Sequence, residues 1–255
     1  MIYILKSDKD PIINESYLSH NVCLLSLLQI QFHDFSLDLE QINKADYLLF
    51  TSKNALKAII NHSYFDLLAN KQALFIGEKS KNIWLQKGGK YAVSPADLGV
   101  SECNNGKKFA EIISPIVNGK NILYLCGKDR ATDFKVLLKD SFIQEVIVYS
   151  SIENCNPDTN LSNISENAQS SDTFEDESIF IFGSPKHYQV FCKYYRWNLS
   201  WLAISLGDTT FQSFGNNVRK LNAKGNFQKA LKVAQALCGT TPLQHNIPVD
   251  VDNVF

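Results

Sequence analysis

An internal duplication constrains the fold of this chain more than any other feature of its sequence. Residues Asp46–Ile60 run from a short apolar segment typical of a buried strand, through a hydroxyl at Ser52, into an amphipathic helix. Residues Ser178–Phe191 repeat this order, with Ser184 at the helix cap and Pro185 at the first helical position, where a missing N–H costs nothing. Because the repeated unit is far longer than a solenoid repeat, the duplication predicts two related α/β halves.

Two further pairs of segments extend the duplication. Ala73–Trp84 and Leu202–Ser213 both contain an apolar strand, a glycine, an acidic residue and a helix. Their spacing nearly equals that of the first pair. A looser match relates Ile2–Ser7 to Ile122–Gly127 at a shorter spacing. Strands that alternate with helices in this way predict parallel sheets with helices packed on their faces.

The bulk properties of the chain limit its function class. Its 255 residues suffice for two domains of ordinary size. The formal net charge of −1 disfavours a nucleic-acid-binding protein, since that class usually carries a basic excess. No apolar run approaches the length of a membrane span, and the first residues resemble a strand rather than a signal peptide.

The cysteines give no sign of a metal site. None of the 6 cysteines has C-x-x-C spacing, and no pair of histidines stands at ligand spacing. We therefore expect free thiols in a reducing cytoplasm, without a disulfide framework or a bound metal.

The turns that follow the predicted strands are the candidate binding site. Ligands of parallel sheets bind at the carboxyl ends of the strands, and helix starts there offer unpaired N–H groups to anions. The candidates are Thr51, Ser52, Lys53, Lys79, Ser80, Cys126, Gly127, Lys128, Gly183, Ser184, Pro185, Lys186, Gly207, Thr209 and Thr210.

Each candidate also has a purely structural interpretation. Ser52, Ser184 and Thr210 are equally consistent with helix caps, each worth about 1 kcal/mol of stability. The lysines are typical of solvated helix surfaces. Glu78 and Asp208 oppose anion binding at their turns unless their carboxylates fold back as caps.

Three regions are predicted with less regular patterns. A helix beginning at Pro11 is expected to carry an apolar stripe that includes Val22 and Leu25. The polar region Glu153–Glu177 is expected to form a loop with a short helix around Leu161–Ala168, and a disordered linker is the alternative. Residues from Thr240 onward have the composition of a flexible tail.

The motifs together resemble one known family. The ordered series comprises Thr51-Ser52, Gly77-Glu78, Cys126-Gly127, Tyr149, Gly183-Ser184-Pro185 and Gly207-Asp208-Thr209-Thr210. Each motif is common alone, but their order and duplication resemble the uroporphyrinogen-III synthase family over Ile2–Leu237. The first strand departs from that pattern, because it ends in Lys6-Ser7 where the family often has Arg-Pro.

The resemblance implies a specific domain organisation. It implies two similar α/β domains with parallel sheets flanked by helices, joined by a two-segment hinge with a cleft between them. Residues 1–34 with 154–255 would form one domain, and residues 35–153 would form the other. The internal duplication by itself leaves open a simple cut near residue 115.

The resemblance also implies a reaction. The family cyclises hydroxymethylbilane, a linear tetrapyrrole carrying many carboxylates, to uroporphyrinogen III with loss of water and inversion of ring D. This step of haem biosynthesis needs no cofactor, and a cytoplasmic monomer is expected. Tyr149 matches the family's tyrosine at the site, where a phenol can act as general acid. Otherwise Tyr149 closes the end of a strand as an amphipathic side chain.

Two other function classes are alternatives to this hypothesis. A non-catalytic two-domain module that binds an anionic small molecule would use the same turns. A nucleotide-dependent α/β enzyme is disfavoured, because the chain contains neither G-x-G-x-x-G nor G-x-x-x-x-G-K. The isomer formed from hydroxymethylbilane distinguishes the two hypotheses, because an enzyme of this family forms type III and a binding module leaves only the spontaneous type I product.

Overall fold

The computed structural model describes residues 1–5, 7, 21–101, 103, 105–130, 132–154, 174–224 and 227–239. The predicted short helix at Leu161–Ala168 and the predicted tail from Thr240 lie outside these residues. The chain divides into two compact units, which comprise residues 1–29 with 152–255 and residues 30–151. We call them unit 1 and unit 2.

The described residues form strands and helices that mostly alternate along the chain. In order they are β1 (Ile2–Leu5), β2 (Val22–Leu25), β3 (Leu28–Phe32), α1 (Leu39–Lys44), β4 (Tyr47–Phe50), α2 (Lys53–Ile60), α3 (Phe65–Leu68), β5 (Gln72–Phe75), α4 (Glu78–Gln86), β6 (Tyr91–Val93), a 3-10 turn (Pro95–Leu98), α5 (Gly106–Val117), β7 (Asn121–Gly127), α6 (Phe134–Leu137), β8 (Phe142–Glu153), β9 (Ile179–Phe182), α7 (Pro185–Tyr194), β10 (Leu202–Ser205), α8 (Asp208–Ser213), β11 (Arg219–Asn222) and α9 (Phe227–Gly239).

The strands form two sheets that confirm the predicted duplication. One sheet has the order β11-β10-β9-β1-β2, and the other has the order β3-β8-β7-β4-β5-β6. All five strands of the first sheet are parallel, as are β8, β7, β4, β5 and β6 of the second. The two sheets match strand by strand. The central strand β9 corresponds to β4; on one side of it β10 corresponds to β5 and β11 to β6, and on the other side β1 corresponds to β7 and β2 to β8. The α/β class with parallel sheets flanked by helices is therefore confirmed.

Helices cover both faces of the sheet in unit 2. Alternate strand residues such as Phe50 and Phe75 point to one face, where they pack against α2 and the fully buried Trp84 of α4. Residues of the opposite parity, such as Leu49 and Tyr124, pack against α5 and α6. Burial on both faces explains why β4 is almost entirely apolar.

The sheet in unit 1 has the same three-layer arrangement. Phe180 and Phe182 of β9 pack on one face against Phe191 of α7 and Trp201. Isoleucines of β1, β9 and β10 pack on the other face against the amphipathic helix α9. Among the described residues, no helix combines the length and apolar character that crossing a bilayer requires.

The predicted helix from Pro11 is wrong at its carboxyl end. Val22–Leu25 forms β2, which pairs in parallel with β1 in a register that joins Ile2 to Val22 and Leu5 to Leu25. The spacing of the apolar residues is compatible with one face of a helix. However, one edge of β1 is not paired with β9, and β2 forms ladder hydrogen bonds with β1 along that edge. The part of the predicted helix before residue 21 lies outside the described residues.

We predict that Gly89→Ala destabilises unit 2. Gly89 ends the turn after α4, and a Cβ atom there would overlap the indole ring of the buried Trp84. Because Trp84 packs against Phe50 and Phe75, it cannot move away without disturbing the core. We expect a loss of about 1–3 kcal/mol in the free energy of unfolding, measured by urea denaturation.

A matched variant controls for the loss of glycine itself. A Cβ atom added at Gly77 meets no atom within 4 Å, and the extended backbone at Gly77 accepts any residue. Gly77→Ala should therefore change the unfolding free energy by no more than about 0.5 kcal/mol. Equal stability of the two variants would contradict the packing described for Trp84.

Candidate active site

Two tyrosines hold the hydroxyl pair that follows the central strand of unit 2. Thr51 Oγ1 lies 2.8 Å from the Tyr124 hydroxyl of β7. The Tyr149 hydroxyl of β8 donates to Ser52 Oγ at 2.9 Å. Ser52 Oγ also accepts from the Asn54 N–H at 3.1 Å and so caps α2. The two phenols thus fix successive hydroxyls at the carboxyl edge of the sheet.

A bulge and a glycine place Tyr149 at this edge. Cys126 pairs with Ile147, but the next residue, Gly127, pairs with Tyr149, so the register skips one residue of β8. The Tyr149 ring then lies over Gly127, where an added Cβ atom would be 2.6 Å from the ring carbon Cζ. Only glycine allows this approach, and the Lys128 N–H donates to the Tyr149 carbonyl at 2.9 Å.

Both phenols are neutral proton donors at physiological pH. Burial raises the pKa of Tyr124 to about 12, although its hydrogen bond with Thr51 opposes the shift. Burial also raises the pKa of Tyr149, against the opposing effect of its hydrogen bond with Ser52. Tyr124 is 1% exposed, whereas Tyr149 is only partly buried and reaches the edge of the sheet.

The remaining candidates of β7 and the turn after it differ in accessibility. The Cys126 thiol is buried and faces the Val146 carbonyl at 3.7 Å, and burial raises its pKa to about 11. Lys128 is exposed. Arg130 Nη2 is 2.6 Å from Glu145 Oε2. Cys126 therefore occupies a core position, and Lys128 is an accessible cation of this turn.

Glu78, the acidic residue at the start of α4, is hydrogen-bonded to a side chain outside its own helix. Glu78 accepts a hydrogen bond from Ser94, which follows β6, and Ser94 also contacts Asp97. Lys81 lies 2.6 Å from Asp97 and holds the pKa of that carboxyl at about 2. Next to Glu78, Lys79 is exposed and Ser80 is partly buried. The Glu78 carboxylate therefore does not cap the backbone of α4, and it already has a hydrogen-bond partner in Ser94.

The corresponding turn of unit 1 repeats this arrangement. Asp208, the first residue of α8, accepts from the Asn222 amide at 2.7 Å, and Asn222 ends β11. Thr209 is exposed, whereas Thr210 is buried and its carbonyl accepts from Ser213 at 2.7 Å. A Cβ atom added at Gly207 would meet no atom within 4 Å, so the turn is open at this point.

A buried histidine organises the edge around the central strand of unit 1. Ser184 Oγ lies 2.8 Å from His187 Nδ1, and Ser7 Oγ lies 3.2 Å from His187 Nε2. His187 is 5% exposed. Ser184 also caps α7 by accepting the His187 backbone N–H at 3.4 Å. Gly183, Pro185 and Lys186 around it are partly buried.

The structure adds three residues to the candidates from the sequence. Tyr124, His187 and Ser7 each bond a hydroxyl of a strand-end turn or complete such a bond. A tyrosine inside an apolar strand was a usable signal for Tyr124, since a buried phenol needs a partner. Within the described residues, no group of three or more His, Cys, Asp or Glu side chains could hold a metal ion.

Stability should depend on pH through His187. Burial lowers the pKa of His187 from 6.5 to about 4, and the neighbouring Lys186 charge adds to the shift. Because the unfolded chain binds the proton more readily, this contribution is fully present above pH 6.5 and is lost as pH falls towards 4. We expect the unfolding free energy to fall by about 3 kcal/mol across this window.

The test is urea denaturation of wild type and His187→Gln between pH 4 and 6.5. The variant should lose most of this slope, whereas His62→Gln, which leaves the buried histidine in place, should retain it. Asp97 titrates lower, with its pKa shifted from 3.8 to about 2, and so does not mask the effect. An unchanged slope in His187→Gln would show that the ring is not buried in its neutral form.

Comparison with known proteins identifies the family. Residues 16–225 match the family of uroporphyrinogen-III synthase HemD. A uroporphyrinogen-III synthetase structure from Helicobacter pylori 26695 superimposes with a TM-score of 0.66 at 21% identity, covering 93% of this chain and 100% of that one. A Thermus thermophilus uroporphyrinogen III synthase gives a TM-score of 0.39 at 10% identity, over 92% and 97% of the two chains. No curated protein matches. Because the family match spans most of the described fold, the chain belongs to the uroporphyrinogen-III synthase family.

Proposed function

We propose that this protein is a uroporphyrinogen-III synthase, a cofactor-free lyase of haem biosynthesis. It cyclises hydroxymethylbilane to uroporphyrinogen III, with loss of water and inversion of ring D. The observation that carries the proposal is the family match over residues 16–225. The duplicated strand-end turns support it, since they supply helix starts and hydroxyls suited to a polycarboxylate substrate.

The chemistry places modest demands on acid–base groups. Water leaves the hydroxymethyl carbon of ring A, ring D attacks through its substituted carbon, and the resulting spiro centre rearranges before closure. No electrons are exchanged with a cofactor. Hydroxymethylbilane also closes unaided to the type I isomer, so the enzyme must hold a geometry that directs ring D. Binding many carboxylates in fixed positions is therefore the main task.

The candidate carboxylate-binding groups are the turns at the carboxyl edges of both sheets. The helix starts after Ser52 and Ser184 direct the positive ends of α2 and α7 towards this edge, and we propose that these ends supply most of the binding energy, apart from the N–H groups of Asn54 and His187, which already donate to the two serines. Exposed Lys79 and Lys128 add positive charge. Side-chain hydroxyls such as Thr209 contribute about 1 kcal/mol each through hydrogen bonds.

Tyr149 is the proposed proton donor to the departing hydroxyl. Its raised pKa keeps the phenol protonated, and its O–H lies at the carboxyl edge, where it donates to Ser52 in the absence of substrate. Rotation about the C–O bond redirects the same hydrogen towards a substrate oxygen. Gly127 and the bulge hold the ring while this occurs.

The proposal extends to the organisation of the protein. We propose that units 1 and 2, which meet between residues 29 and 30 and between residues 151 and 152, correspond to the two domains of the family, which were predicted to meet at residues 34/35 and 153/154. We further propose that the protein acts as a cytoplasmic monomer without a nucleic-acid or membrane partner. The formal charge of −1 supports the absence of a nucleic-acid partner.

We predict that the purified protein converts freshly prepared hydroxymethylbilane mainly to the type III isomer, without added metal or nucleotide. The measurement is separation of type I and type III porphyrins after oxidation. Spontaneous closure in buffer alone gives the type I reference. Type I product formed at the spontaneous rate would instead favour a module that only binds an anionic ligand.

We predict that Tyr149→Phe lowers kcat by about 10²-fold or less and changes the affinity for uroporphyrinogen III little. The substitution keeps the ring over Gly127 and removes only the hydroxyl. The limit follows from the chemistry, because the leaving group departs readily without help.

Tyr3→Phe is the matched control for removing a buried phenol. Tyr3 lies inside β1, stacked on Phe180 with 5.1 Å between ring centroids, away from the strand-end turns. Its kcat should equal that of wild type. Wild-type turnover in Tyr149→Phe would remove the phenol from the reaction.

A further inference from the structure

His187 is a buried, ionisable side chain for which the proposed reaction has no direct use. It is 5% exposed, yet both ring nitrogens have serine partners: Ser184 Oγ at 2.8 Å from Nδ1 and Ser7 Oγ at 3.2 Å from Nε2. Ser7 and His187 are separated by 180 residues in sequence. The ring therefore joins the end of the first strand to the cap of α7.

The ring's tautomer decides what Ser184 can offer to a ligand. A neutral imidazole has one N–H donor and one bare nitrogen acceptor. If the hydrogen is on Nε2, Ser184 must donate its own hydrogen to Nδ1. If the hydrogen is on Nδ1, Ser184 accepts it, Ser7 donates to Nε2, and the Ser184 O–H is released to donate elsewhere.

The backbone contact reinforces this choice. Ser184 Oγ already accepts from the His187 backbone N–H at 3.4 Å. Accepting a second hydrogen from Nδ1 uses both oxygen lone pairs, so only the O–H donor remains for a ligand. A carboxylate is a hydrogen-bond acceptor and therefore matches this state.

We propose that His187 is a positioning residue that holds the Ser184 hydroxyl as a donor to a substrate carboxylate, by donating from Nδ1 while Ser7 donates to Nε2. The inference rests on the proposed function, because Ser184 must face the substrate. His187 does not contact the substrate and exchanges no proton with it. Its role is to fix which way the Ser184 hydrogen points.

In unit 2, different residues orient the hydroxyl of the helix cap. The corresponding cap, Ser52, accepts from both the Asn54 N–H and the Tyr149 hydroxyl. As long as Tyr149 donates to Ser52, before its hydrogen turns towards a substrate oxygen, the Ser52 O–H is likewise left as the group that can donate to a ligand. In both units, then, a side chain that donates to the cap oxygen directs the cap hydrogen outward.

Two conservative variants separate positioning from packing. Asparagine places an amide near the position of Nδ1, so His187→Asn can keep the contact to Ser184. Glutamine places its amide near Nε2, so His187→Gln keeps the contact to Ser7 and loses the one to Ser184. We expect His187→Asn to bind uroporphyrinogen III within about twofold of wild type, and His187→Gln to bind about fivefold more weakly.

The readouts are kcat, KM and the Kd for uroporphyrinogen III, with urea denaturation to check folding. The effect should lie in KM and Kd, with kcat unchanged. In a Ser184→Ala background, His187→Gln should have no further effect on Kd, because the donor it positions is gone. His62→Gln, in unit 2, serves as the control and should leave all three constants unchanged.

A spectroscopic measurement tests the inference on the unaltered protein. Protein labelled with 13C and 15N reports which ring nitrogen of each histidine carries the hydrogen, and the His187 ring is assigned in the unaltered protein through bond-by-bond correlation with its own backbone. We expect the hydrogen on Nδ1 when uroporphyrinogen III is bound. A hydrogen on Nε2 in the complex would overturn the inference even if neither variant folds.

The outcomes distinguish this inference from the proposed function. If wild type forms the type III isomer but the Asn and Gln variants bind product equally, His187 only packs, and the inference fails alone. If wild type neither forms the type III isomer nor binds uroporphyrinogen III, both fail. Tighter binding by His187→Asn than by His187→Gln, lost in the Ser184→Ala background, supports the inference.

Discussion

The structure depends on one constraint, which is that a hydroxyl at the end of each buried central strand must be hydrogen-bonded. β4 and β9 are buried on both faces, so each passes from an apolar core to a polar turn within two residues. Ser52 and Ser184 meet this constraint by capping the next helix and by bonding a ring, which is Tyr149 of β8 for Ser52 and His187 of the capped helix α7 itself for Ser184. An unsatisfied polar group at such a site would cost about 1–3 kcal/mol.

The two units share this geometry and differ in the groups that provide it. Tyr149 supports the cap in unit 2, and His187 supports it in unit 1. The acidic residues Glu78 and Asp208 likewise bind different partners, a serine in one unit and an asparagine in the other. In both units the carboxylate accepts from a side chain near the end of an adjacent strand, and neither carboxylate folds back to cap its own helix. The duplication therefore preserves a layout of donors more than it preserves particular residues.

The sequence predicted the elements whose signals are local. Strand, cap and helix lie within a few residues at Ser52 and at Ser184, so β4–α2 and β9–α7 were predicted correctly. It failed for Val22–Leu25, where apolar spacing fitted a helix but pairing with β1 decided the structure. The bonds that complete the candidate site, such as Thr51 to Tyr124 and Ser7 to His187, join residues 73 and 180 positions apart. No local pattern encodes such contacts, because they exist only once the sheets have formed.

The central claim is that the carboxyl edges of both sheets bind the carboxylates of the tetrapyrrole. Amide hydrogen exchange with and without uroporphyrinogen III tests it most directly. Exchange should slow at Ser52–Asn54 and at Lys186 and His187, the helix starts of the two units. It should stay unchanged at Asn121 and Leu202, which begin β7 and β10 at the opposite edges. Protection at those opposite edges, or at the helix start of one unit alone, would contradict the account.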